Sequence, residues 1–511
     1  MTQPRAWSVL LIALIAIVYG LVAIEAARCE YQLVNDYIAF SMIRIGAWPS
    51  SIVRSLVDFS TPGAWLYRPL PDAMAWLFAT LFRGHPGVWH LILIAVRLLS
   101  VWLAYRIARE TGASPAAVAA GTAYFAFFPA IPEIDLLRAE NWLIPALAAT
   151  FLGYLRNAGV PPAGQAPSRR LGGETPPAQP PGRRRSDWTA LAFVLVTMSK
   201  EVTAPLTLVL FALFVPLLWR RGRAALAVMA LALANQLAHC ALMLADPYAR
   251  GSGGNLLANA FWNAKVLLLA ATSFPLLSLL LAALIALGIL PLIRYSKGAA
   301  LLLAVSIALA VAAPYPAIRY AYPAALFLVP CIALGVQQLR VRVAQPVAAV
   351  TIVLLAIYGG ASLWAQAAAM RASSRADWQF LNEVADAFSD GHGIAIVNDP
   401  DFERSFWVRA ELVGVDPRWP FLSYVARQYA TRQPVHWRPT GAVNLTGRVH
   451  PAAASGDTLI VPANPIVGED RSAFSRFARM LNPRFHYAVD LGESPYPGHH
   501  WPSSVSARAD R

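Results

Sequence analysis

The chain is divided into long apolar runs, and these decide what it can fold into. Eleven segments, 6–27, 87–108, 114–131, 139–156, 188–200, 202–219, 224–244, 269–293, 298–313, 317–338 and 346–366, are separated by polar breaks. Most approach the ~20 residues that a helix needs to cross the hydrocarbon of a bilayer. Their apolar residues run on continuously instead of recurring with the period of a half-buried helix or strand. Composition agrees: of 511 residues 57% are hydrophobic and 14% charged, where a soluble domain carries about 25% charged residues. The mean hydropathy is +0.49. The expected fold is a polytopic α-helical membrane protein of about eleven spans. The first run, Trp7 to Ala26 behind Arg5, is long for a cleaved signal peptide and reads as a retained anchor.

The formal charge is +14, and its placement argues for topology over nucleic-acid binding. The basic residues form no face interleaved with aromatics. They cluster in short loops, as the positive-inside rule describes. With the N-terminus in the cytoplasm, the inner loops hold Arg106 and Arg109, Arg156, Arg169, Arg170 and Arg183 to Arg185, Arg220, Arg221 and Arg223, Arg294 and Lys297, and Arg340 and Arg342. The outer side then receives 28–86, 132–138, the Lys200-Glu201 turn, 245–268, 314–316 and everything after 366. The segment 188–219 has arginines on both flanks and must cross an even number of times. A hairpin with Lys200 and Glu201 at its outer apex, and a second arm starting near Pro205, meets that need. Residues 157–187 are Pro-, Gly- and Arg-rich and read as a disordered cytoplasmic linker. Cys29, Cys240 and Cys331 form no CxxC pair, so neither a disulfide framework nor a zinc site is expected.

Two regions depart from the span pattern. Pro62 to Leu81 reads as a helix lying at the outer surface, with Trp65, Tyr67, Trp76 and Phe82 suited to the interface. After residue 370 the composition turns soluble. Trp378, Leu381, Val384 and Phe388 share one helical face, 393–399 and 457–463 read as strands, and a helix is expected near Arg471 to Met480. The division is therefore a membrane domain, 1–370, and a periplasmic α/β domain, 371–511, with the C-terminus outside.

The outer side collects ionisable groups near membrane depth, where they are costly and point to function. Asp36 follows the first span. Glu133, Asp135 and Arg138 crowd one short turn, Lys200 and Glu201 occupy the hairpin apex, and Arg319 and Tyr320 begin a late span. His90 reads as a packed interfacial histidine. His499 and His500 read as solvated tail residues, and the sequon at Asn444 as a chance pattern.

The ordered series Asp36, Tyr67-Arg68-Pro69-Leu70, His90-Leu91, Phe128-Pro129, Glu133, Ser199-Lys200-Glu201 and Arg319-Tyr320 resembles the GT-C superfamily of membrane glycosyltransferases. The flavour is that of the protein O-mannosyltransferase and aminoarabinose-transferase group, and the resemblance covers most of residues 1–340. It implies a sugar donor carried on a polyprenyl phosphate in the lipid bilayer, with Asp36 as the base that takes the acceptor proton. A single displacement would invert the anomeric centre. Lys200 and Arg319, with Arg138 and Arg68 behind them, would bind the donor phosphate, supported by Glu201 and Tyr320. The resemblance fixes no cofactor, and a divalent metal on Glu133 or Asp135 is an option. One departure stands out: where many relatives carry two adjacent acids, this chain has Asn35-Asp36, which favours a single base and weakens a two-carboxylate metal site there. Two other classes compete. A transporter or lipid-carrier flippase should show inverted repeats around a midplane site, and none is apparent. A non-catalytic envelope scaffold would scatter these groups.

Overall fold

The computed structural model describes residues 3–29, 56, 68–82, 85–128, 140–158, 183–200, 203–219, 222–245, 256–269, 275–312, 318–368 and 371, and three short strands near the C-terminus. Thirteen helices are named here: α1 (Gln3–Ala26), α2 (Pro69–Leu81), α3 (Pro86–Glu110), α4 (Pro115–Ala126), α5 (Glu140–Asn157), α6 (Arg183–Thr197), α7 (Ala204–Leu218), α8 (Arg223–Ala245), α9 (Leu256–Leu267), α10 (Pro275–Tyr295), α11 (Lys297–Val311), α12 (Ile318–Gln337) and α13 (Val341–Leu354). The helix of α13 continues through a π-helical turn, Leu355–Gly359, to Ala368. Every segment read as a span carries a helix. Among the described residues, six helices are long and apolar enough to cross a membrane: α1, α3, α8, α10, α12 and the extended α13.

Local chemistry sets many of the starts. Proline opens α2, α3 and α4, where its missing N–H is no loss. Ser114 and Ser296 cap α4 and α11, accepting from the Ala117 and Ala299 amides at 3.4 and 3.2 Å. Pro205 lies in the first turn of α7, as the hairpin reading expects.

The core is built on α12, whose residues from Ala321 to Val336 are almost all sealed. Helices α4, α10 and α11 pack around it. Gly288 of α10 faces the Cys331 carbonyl and Gly335 of α12 faces the Leu284 carbonyl so closely that a β-carbon would overlap either one. Small residues of this kind let membrane helices approach backbone to backbone. On the outside, Ile12, Leu231, Leu279 and Leu301 are exposed, as expected for a surface solvated by lipid tails.

The bundle has two distinct ends. At one, Glu110 pairs with Arg156 at 2.8 Å, the Tyr295 hydroxyl donates to the Glu110 carbonyl at 2.9 Å, and the Ser114 amide donates to Gln337 Oε1 at 2.9 Å. Gly153 meets Thr189, and Gly298 meets Tyr154 and Leu213. These contacts bring the C-terminal ends of α3, α5, α7, α10 and α12 together with the starts of α4, α6 and α11. At the other end Gly87 packs on the Ala27 carbonyl, and Glu25 pairs with Arg371 at 2.7 Å. That pair ties the exit of α1 to the exit of the last long helix.

Near the C-terminus, β1 (Ile394–Ile396) pairs in parallel with β2 (Thr458–Ile460), which pairs antiparallel with β3 (Ser506–Ala507). The first two strands fall inside the segments read as strands. The helices expected at 376–388 and near Arg471, and most of 371–511, lie outside the described residues, as do most of 28–86 and of 157–187.

Candidate functional site

The hairpin is formed as expected, by α6 and α7, and Lys200 stands in the turn between them. The turn is held by its backbone. Thr203 Oγ1 donates to the Lys200 carbonyl at 2.8 Å, and Gln236 Nε2 of α8 donates to the same carbonyl at 2.7 Å and to Thr203 Oγ1 at 3.0 Å. The Lys200 side chain is buried, with Nζ 5.0 Å from the centre of the Tyr320 ring at the start of α12. The Leu70 amide donates to the Met198 carbonyl at 3.0 Å, which brings the Arg68-Pro69 start of α2 to the same turn. Helix α2 is fixed in turn by Phe78, whose ring meets Trp89 of α3 and Trp142 of α5 edge-on at 6.2 and 5.8 Å.

The depth of this turn differs from the surface apex that the sequence suggests. Helix α8 is long and apolar enough to cross a membrane, and Gln236 stands thirteen positions after Arg223, about 20 Å along the axis. The hairpin arm α7 has 15 residues, about 22 Å of helix against roughly 30 Å of hydrocarbon. Lys200 is therefore recessed within the span of α8. Helix α4, with 12 residues, also stops part-way, about 18 Å from its start. In sequence, Glu133, Asp135 and Arg138 follow α4, and Glu201 follows Lys200. Lys200 is thus a buried cation at this end of the bundle.

The exit of α4 reveals a residue that the sequence reading missed. Arg97, in the middle of α3 and buried, donates from Nη2 to the Phe125 carbonyl at 2.6 Å and from Nε to the Tyr19 hydroxyl at 3.0 Å. Tyr19 donates to the Ala126 carbonyl at 2.8 Å. The guanidinium also lies 4.5 and 4.6 Å from the Phe125 and Tyr322 rings, themselves stacked at 5.6 Å. A cation at a helix C-terminus complements the dipole and the carbonyls left without intrahelical partners. A charge inside span 87–108 was the available signal. A second signal was the polar step Asn235, Gln236 and His239 in otherwise apolar α8.

Of the candidates from sequence, the structure brings together Lys200, Tyr320 and the Arg68 start of α2. Arg319 precedes Tyr320 in the first turn of α12. Asp36, Glu133, Asp135, Arg138 and Glu201 lie outside the described residues. His90 is buried in α3, in keeping with a packed histidine. Among the described residues no group of three or more His, Cys, Asp or Glu side chains gathers as a metal site.

No protein-family model and no curated protein sequence matches the chain. Solved structures do. ArnT from Cupriavidus metallidurans in the apo state superposes with a TM-score of 0.50 at 13% identity, covering 77% of this chain and 83% of that one. The fold is similar to that of ArnT. The same protein bound to undecaprenyl phosphate aligns over 83% of this chain and 76% of its own, at 13% identity and a TM-score of 0.43. At 13% identity the likeness to the apo ArnT structure is one of fold.

Proposed function

We propose that the chain is an inverting glycosyltransferase that moves a sugar from a polyprenyl-phosphate carrier to an acceptor hydroxyl at the outer face of the bacterial inner membrane. The observation that carries this reading is the buried, recessed Lys200, set beside Tyr320 and the start of α2 below the end of α8. A cation at that depth suits a phosphate held on a membrane lipid, and would favour a lipid-borne donor over one dissolved in water.

The acceptor oxygen attacks the anomeric carbon from the face opposite the phosphate. The bond from that carbon to the phosphate oxygen breaks, and the polyprenyl phosphate leaves with the electron pair. Asp36 takes the acceptor proton. Lys200 and Arg319, with Arg138 and Arg68, stabilise the charge that builds on the phosphate, most effectively where water is scarce. Glu201 and Tyr320 hold this group in place. Glu133 and Asp135 supply oxygen ligands suited to a divalent cation. The N-terminus is cytoplasmic, and 371–511 forms a periplasmic α/β domain that meets the acceptor.

The test is transfer by the full chain in lipid nanodiscs, from a lipid-linked sugar pool to envelope acceptors, with products read by mass spectrometry. Glycolipids or glycans that change between cells with and without the protein support the reading. Undiminished transfer by a folded Asp36→Asn variant would remove Asp36 as the base.

A further inference from the structure

Helix α8 (RAALAVMALALANQLAHCALMLA) is apolar from end to end apart from one polar step, Asn235, Gln236 and His239, and the starting arginine. Polar side chains in mid-span are costly unless their hydrogen bonds are met. The two adjacent amides donate in different places. Gln236, fully buried, donates to the Lys200 carbonyl at 2.7 Å and to Thr203 Oγ1 at 3.0 Å. Asn235 donates from Nδ2 to the Leu56 carbonyl at 2.8 Å. Leu56 belongs to the loop 28–86 that carries Asp36. The acceptors are carbonyls, so the amide nitrogens must face them and the orientation of both side chains follows from chemistry.

We propose that Asn235 and Gln236 are positioning residues that register the first loop against the Lys200 turn. Residues 198–200 leave the helical pattern in a buried turn, and their carbonyls need donors from the protein. Gln236 supplies the donor, and Thr203, accepting from Gln236 and donating to Lys200, closes a ring of three hydrogen bonds. The ring fixes the backbone from which the Lys200 side chain rises toward Tyr320. One residue earlier, about 100° around the helix, Asn235 grips the loop that holds the proposed base. One helix thereby holds both the Lys200 carbonyl and the Leu56 carbonyl of the first loop, and catalysis is sensitive to ångström misplacement of the groups such segments carry.

The inference rests on the transferase reading, and the experiment separates the two. The full chain in nanodiscs is titrated with a polyprenyl monophosphate, and donor KM and kcat are measured for the wild type, Lys200→Met, Gln236→Leu, Asn235→Leu and the double variant Lys200→Met/Gln236→Leu. Expected are about ten-fold weaker binding of the lipid phosphate and a matching rise in KM for Gln236→Leu. In the Lys200→Met background Gln236→Leu adds nothing further, and Asn235→Leu lowers kcat with KM held. Thr203→Val reproduces the Gln236→Leu loss and Thr203→Ser restores binding, so the result does not depend on one variant folding. Wild-type binding by Gln236→Leu, or equal losses with and without Lys200, overturns the positioning role while leaving the transferase reading in place. If the wild type and Lys200→Met bind the lipid phosphate alike, the transferase reading fails first, and the inference falls with it.

Discussion

Arg97 and Lys200 are the two cations sealed inside this bundle, 3% and 5% exposed among the described residues, and each lies against a tyrosine of α12. Arg97 meets Tyr322, and Lys200 meets Tyr320 two positions earlier. Their surroundings differ in kind. At Arg97 the side chain secures other groups: its planar fork is directed at the end of α4 and at Tyr19. At Lys200 the backbone carbonyl is secured, by Thr203 and Gln236, and the side chain lies against the Tyr320 ring. The first arrangement locks helices together, as a cation capping a buried helix end should. The second, under the proposed transferase reading, would hold a phosphate-binding cation still.

The sharpest way to break this comparison is to remove each charge and ask what is lost. Lys200→Met should reduce transfer by about 10²- to 10³-fold, the range for deleting one group that stabilises developing charge. Its thermal unfolding midpoint in detergent should stay close to that of the wild type. Transfer within ten-fold of wild type would place Lys200 with Arg97 as a structural cation. Arg97→Met should do the reverse. It removes one bond each from the Phe125 carbonyl and the Tyr19 hydroxyl, which keep the Phe128 amide and the Ala126 carbonyl as partners, at about 1.5–3 kcal/mol for each hydrogen bond to a charged group lost. A lower unfolding midpoint is expected, with activity per folded molecule near normal.

This contrast also marks how far the sequence could be read. Continuous apolar runs placed a helix in all eleven segments, because backbone groups in lipid must be satisfied within the helix. Arginines flanking 188–219 forced a hairpin with Lys200 in its turn, and the turn is there. The depth of that turn was not legible, since it depends on α7 being shorter than α8 and on Gln236 meeting Lys200 across more than thirty positions of chain. Arg97 was passed over because it sits inside a convincing span, and its partners, Tyr19 and Phe125, come from two other helices. Helix α9, inside the expected loop 245–268, was not foreseen because its 12 residues are too few to signal a span. The Lys200–Tyr320 pairing, by contrast, was foreshadowed, because both residues fell on one side of the topology.

A smaller effect sharpens the comparison at the tyrosines. Tyr320→Leu removes the ring face beneath Lys200, a contact of about 0.5–2 kcal/mol depending on desolvation, so donor affinity should fall several-fold. Tyr320→Phe keeps the face and should stay near wild type if the ring is what matters. Equal losses in both variants would assign the effect to the hydroxyl. Tyr322→Leu should act on stability through Arg97 and leave donor affinity unchanged.

The smallest effect belongs to the opposite end of the bundle, and it tests whether the two ends differ at all. Glu110 and Arg156 form a 2.8 Å pair with side chains 31% and 35% exposed, among arginines that mark the proposed cytoplasmic face. An ion pair with that access to solvent is worth about 0.2–1 kcal/mol, and salt screens it. Glu110→Gln should therefore shift the unfolding midpoint slightly at low ionic strength and not at all in molar salt, with transfer unchanged. The Tyr295 hydroxyl would keep its bond, because it donates to the Glu110 backbone carbonyl and not to the carboxylate. A large loss of transfer in this variant would mean that the Glu110 end is coupled to the chemistry, and the separation of a reacting end from a merely packed one would have to be abandoned.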